Sequence, residues 1–65
     1  MANRLMAEFK KQAQIAFQKH HSTFDFCGKV AEIRWEHTNE FSVNIGKWQI
    51  CRIFTNGGNV TCIEV

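Results

Sequence analysis

The sequence predicts an α+β fold: one N-terminal amphipathic helix packed on a four-stranded antiparallel β-meander, in the order α-β-β-β-β. Three observations carry it. Apolar residues recur with a helical period over residues 4–20. From Lys29 onward the period changes to two. Three turn-forming stretches, at 37–39, 46–47 and 56–59, then divide that second region into four runs of strand length.

Ala, Gln, Lys and Glu dominate residues 4–20, and neither Gly nor Pro interrupts them, so the helix is favoured from within. Asn3 suits the N-cap. Leu5, Met6, Phe9, Ala13, Ala16 and Phe17 fall within one arc of about 120°, the face expected to be buried. His20 continues that arc and His21 leaves it. The opposite face carries Arg4, Lys10, Lys11, Gln14 and Gln18.

Residues 21–28 form a transition. Phe24 and Phe26 alternate with polar neighbours, which fits a short strand or an ordered loop, and Gly28 permits a turn into the sheet. In "KVAEIRWEH" the apolar set Ala31, Ile33, Trp35 alternates with Glu32, Arg34, Glu36. "EFSVNI" alternates in the same way, and a loop at His37-Thr38-Asn39 would pair Trp35 with Phe41 and Ile33 with Val43. Gly46-Lys47 suits a two-residue type II′ turn, pairing Ile45 with Trp48 and Val43 with Ile50. Asn56-Gly57-Gly58-Asn59 reads as the last turn, with Arg52 and Phe54 on the face of Ile63 and Thr61. The whole of 1–65 is expected to form one domain: helix about 4–20, transition 21–28, sheet 29–65.

These registers define two faces. The expected core takes Ala31, Ile33, Trp35, Phe41, Val43, Ile45, Trp48, Ile50, Phe54, Ile63 and Val65. The expected outer face begins charged, with Glu32, Arg34 and Glu36, and ends apolar, with Cys51, Ile53, Val60 and Cys62. One helix covers one face, so those last four residues are expected to be exposed.

Composition restricts the function classes. The chain is 45% hydrophobic with no Pro, which separates it from disordered sequences. Apolar runs of two or three residues cannot cross a membrane, and "MANRLMAEFKK" lacks the apolar stretch of a signal peptide. A cytoplasmic protein is therefore expected. Its three Cys, an odd number at 27, 51 and 62, read as free structural thiols. His20, His21, Cys27 and Asp25 lack the close pairing of zinc ligands, so neither metal nor other cofactor is expected. Cys27 and His20 suggest no oriented third group, so no catalytic set is expected either. The glycines of "NGGN" precede no helix and so do not make a phosphate-binding loop.

Two readings remain. The leading one is a small non-enzymatic protein-binding module that occupies a surface of a larger host protein or complex. Regulators and inhibitors carried by phages and mobile elements, anti-CRISPR-type inhibitors among them, are of this kind; the reading follows from size and elimination. Its contact residues would be Cys51, Ile53, Val60 and Cys62, rimmed by Glu32, Arg34 and Glu36, with a homodimer through the C-terminal strand or the apolar face as a further use. The alternative is a nucleic-acid-binding module using Arg4, Lys10, Lys11, Gln14 and Gln18. The net charge of only +2 is a weak electrostatic footprint for it.

Overall fold

The computed structural model describes residues 4–57 and 59–65, and only the backbone of Asn59. Asn3 and Gly58, assigned above to a cap and a turn, lie outside the described residues. The element order is α1 (Arg4–Gln18), β1 (Thr23–Phe26), β2 (Lys29–His37), β3 (Glu40–Ile45), β4 (Trp48–Asn56) and β5 (Asn59–Glu64). All strands pair antiparallel with their sequence neighbours in the order β1-β2-β3-β4-β5. The α+β meander is as the sequence implies. The sheet has five strands rather than four, because Phe24 and Phe26 do form a strand, set against Ala31 and Lys29.

Helix α1 ends in a paired hydrogen-bond motif. His21 N–H donates to the Ala16 carbonyl at 2.9 Å and His20 N–H to the Phe17 carbonyl at 3.0 Å. The motif requires His20 in the left-handed region, where it sits at φ 62°. His20 is consequently exposed at the helix end instead of continuing the buried arc. Hairpin turns also use positive φ, Gly57 after β4 at 60° among them. Cys27 and Gly28 take 52° and 80°, the pattern of a type I′ hairpin turn, while Gly46 takes 60° and Lys47 does not, as type II′ demands.

The sheet curls around the helix, whose backbone runs closest to the two edge strands, β1 and β5. Phe9 holds the β1 side, with ring centroids 5.4 Å from Phe24 and 5.1 Å from Phe26. Two contacts hold the β5 side. The Cys62 thiol donates to the Lys10 carbonyl at 3.6 Å, and Gln14 Nε2 donates to the Val60 carbonyl at 3.0 Å. Phe9, Ala13, Ala31, Val43, Cys51 and Ile53 form the buried core between them. Met6, Phe17, Ile33, Phe41, Ile45 and Ile50 pack around it half-buried.

The β2–β3 register is the expected one, with Trp35 opposite Phe41 and Ile33 opposite Val43. The register then shifts by a residue, so His37 faces Glu40 across a turn of Thr38 and Asn39. Ile45 faces Trp48 as expected, but Val43 faces Cys51 and Asn44 faces Gln49. Ile50 is the extra residue of a β-bulge. Beyond it the alternation of β4 is displaced by one, and every later side chain changes face.

That displacement corrects the core assignment. Cys51 and Ile53 are fully buried under the helix, at 0% exposure. Val60 and Cys62 are half-buried and packed on the same core. Phe54, Ile63 and Val65, expected inside, lie on the face away from the helix. Two tryptophans expected inside are also exposed. Trp35 shares its face with Ile33 but stands beyond the last turn of α1, and Trp48 starts β4 at the opposite end. Leu5, at the first turn of α1, is exposed as well.

Candidate interaction surface

The face of the sheet turned away from α1 is polar across its middle. Glu32, Arg34 and Glu36 project from β2, Glu40, Ser42 and Asn44 from β3, and Gln49 and Arg52 from β4. Small Ser42 and Asn44 are buried among these longer neighbours. Asn44 Nδ2 donates to Ser42 Oγ at 2.8 Å, and Ser42 Oγ donates to Glu36 Oε2 at 2.9 Å. Two ion pairs flank this chain of hydrogen bonds, Arg34 with Glu32 and Arg52 with Glu40, each at 3.1 Å. Gln49 Nε2, across from Asn44, is buried without a hydrogen-bond partner. The bonds join Asn44, Ser42 and Glu36 into one chain, while the Arg34–Glu32 pair stands in solvent.

On the β4–β5 side the same face becomes apolar. Arg52 pairs with Ile63 and Phe54 with Thr61, which brings Phe54, Ile63 and Val65 around the Arg52 side chain. Ile63 is 51% exposed and Val65 67%. Between them lies a shallow hollow of about 350 Å³, walled by Arg52, Phe54, Ile63, Glu64 and Val65. Sequence reasoning placed the apolar strip on the wrong row of these two strands. A signal was available: the row assigned to the core contained Arg52, whereas Cys51, Ile53, Val60 and Cys62 contain no charge.

The protein-binding residues expected from sequence therefore divide. Glu32, Arg34 and Glu36 are exposed on the outer face, on β2, with β3 between them and the strip on β4 and β5. Cys51 and Ile53 are inaccessible, and Val60 and Cys62 face the helix. The edge expectation for β5 is also modified. Asn59 and Asn56 flank the two-residue turn, so hydrogen-bonded pairs alternate from there and the main-chain groups of Val60, Cys62 and Glu64 point away from β4. Gln14 occupies the Val60 carbonyl, and the helix lies along that edge, which blunts it as a template for strand addition.

The basic helix face is divided too. Arg4, Lys11 and Gln18 are exposed. Lys10 and Gln14 are half-buried against β5, and Gln14 spends its amide on Val60. The unbroken polar stripe read from the sequence is thus reduced to three separated side chains.

Among the thiols, Cys51 and Cys62 stand diagonally on the inner face and share a hydrogen bond. That bond and burial push the Cys51 pKa up, while the same bond, aided by Lys10, pulls that of Cys62 down. Cys27 is exposed in its turn, away from both. Among the described residues no group of three or more His, Cys, Asp or Glu comes together as a metal would need. No described helix is long and apolar enough to cross a membrane.

Comparison with protein-family models, with curated proteins and with solved structures found no match to this chain.

Proposed function

We propose that this protein is a small, non-catalytic binding module that occupies a surface of a larger protein through its outer sheet face. The observation supporting the reading is the strip of half-buried Phe54 with exposed Ile63 and Val65 around Arg52, on the same face as the charged row of Glu32, Arg34 and Glu36 on β2. An aromatic and two aliphatics beside an arginine is the composition of an interface centre. A regulator or inhibitor acts by such occupancy alone, and needs neither a cleft nor a catalytic set. Proteins with which mobile elements block host defence enzymes, anti-CRISPR-type inhibitors among them, form the class we favour; size and elimination support it.

The test is capture of a partner by immobilised protein, wild type against Ile63→Asp and Phe54→Asp. Both side chains point away from the core, so the fold is retained, as circular dichroism would verify. Loss of one central contact residue weakens binding by about 30-fold or more. A partner captured equally by all three proteins would remove the strip from the proposal. A second copy of the chain as the only partner, seen as a dimer by light scattering that Ile63→Asp dissociates, would convert the reading into self-association. The nucleic-acid reading ranks below, because Gln14 spends its amide on Val60 and Lys10 is half-buried. It predicts salt-dependent DNA or RNA binding weakened by Lys11→Glu.

A further inference from the structure

The end of the molecule where α1 begins carries a second, unrelated cavity of about 240 Å³. Its walls are Met6 and Phe9 from the helix, Phe26 from β1, and Ile45 and Ile50 from β3 and β4. The bulge contributes directly, since it turns Ile50 and Cys51 to the same side of the sheet. The two hairpin turns at 27–28 and 46–47 both close at this end, and Cys27 of the first lines the cavity. Leu5 stands at the rim, 60% exposed.

One charged residue lines the cavity, Lys29. Arg4, beside Leu5, and Lys47, in the adjacent hairpin turn, add positive charge near the opening, and both are exposed. Among the described residues no acid lines it: Glu8 is exposed on α1, and Asp25 and Glu64 sit on the edge strands. An apolar cavity with one cation at its mouth selects a ligand with an apolar body and one anionic head. A cavity lined in this way offers water few hydrogen bonds, so an alkyl chain is the better occupant.

We propose that this cavity binds a single-chain carboxylate amphiphile, its alkyl chain between Phe9, Phe26 and Ile50 and its carboxylate on the Lys29 ammonium. Leu5 folds over the chain, and Arg4 and Lys47 steer the anion toward the opening.

The two tryptophans make the test direct, because they stand at opposite ends. Trp48 faces Ile45, a wall of the cavity, while Trp35 lies near Phe17 and His21 beyond the other end of the helix. In a Trp35→Phe variant, decanoate below its micelle-forming concentration should produce a saturable change in Trp48 fluorescence. Lys29→Glu should weaken this by about tenfold or more, and uncharged decanol should bind wild type less tightly than decanoate does. A Trp48→Phe variant, reporting through Trp35, should stay silent. The proposal is overturned by an absent or non-saturating response to decanoate, by indifference to Lys29→Glu, or by an equal response from Trp35. A response to anionic vesicles without one to monomeric decanoate would also overturn it, and would assign this end to a membrane surface instead.

Discussion

Gln14 Nε2 donates to the main-chain carbonyl of Val60 across 3.0 Å, tying the middle of the helix to the outer rim of the last strand. The bond is a cross-brace at the place where the open sheet would otherwise expose a carbonyl. Gln14→Glu keeps the shape and much of the helix propensity but removes the donor and sets a carboxylate against that carbonyl. The expected loss is about 1 kcal/mol or more, read as a lower urea midpoint at pH 7. An unchanged midpoint would mean that the brace contributes nothing.

Ile53 and Ile63 offer a contrast within eleven residues. Ile53 is buried at 0% exposure, while Ile63 is half exposed on the other face. Ile53→Ala should cost about 2–5 kcal/mol, enough to unfold much of a domain this small. Ile63→Ala should stay within about 0.5 kcal/mol. Thermal melts of the pair check the face assignment, and equal costs would contradict it.

His20 holds a left-handed conformation that glycine adopts without strain. His20→Gly should stabilise the helix end by about 0.5–1 kcal/mol, the relief being partly offset by greater freedom in the unfolded chain. The melting temperature should rise by several degrees, about 4–8 °C per kcal/mol for domains near this size. A fall would show that the imidazole itself contributes to the fold.

Cys51 and Cys62 should separate in reactivity. Under native conditions iodoacetamide should modify exposed Cys27 first and Cys62 more slowly, with Cys51 protected until the chain unfolds. The pair also gives a pH dependence. With its pKa raised in the fold, Cys51 keeps its proton at pH values where the unfolded chain releases it. Its contribution is present below the ordinary thiol pKa of about 8.5 and is lost as pH rises beyond that. Cys62, lowered in the fold, acts in the opposite direction below that value. Urea midpoints above pH 9 should therefore fall more steeply for wild type than for Cys51→Val; parallel slopes would contradict this.

The hairpins were legible because period-two alternation and turn chemistry agree. Trp35 with Phe41, Ile45 with Trp48 and Arg52 with Ile63 all follow from turn placement. The bulge was not legible, because in "WQICRIF" both alternating sets contain apolar residues. Ile50 and Cys51 are each acceptable inside, and three-dimensional closure around the helix selects both. Once that residue is absorbed, the surface strip follows, so a one-residue ambiguity moved the candidate site from Ile53 to Ile63. Trp35 shows a different limit. Its pattern is that of a core residue, and only the early end of α1 at Gln18 leaves it in solvent.

The helix fills the seam between β1 and β5, and this has a consequence for synthesis. The first of these six elements binds the sixth, through contacts separated by 46 and 52 positions. During translation α1 therefore emerges before its seat is complete: β1 to β4 supply Phe24, Phe26, Ala31, Phe41, Val43 and Ile53, and the wall formed by Val60 and Cys62 is missing until β5 leaves the ribosome. Folding of these residues is expected to be abrupt, with the nascent chain open to holding factors until β5 has left the ribosome. Stalled chains ending before Val60 should remain protease-sensitive, and chains in which β5 has cleared the ribosome should become resistant.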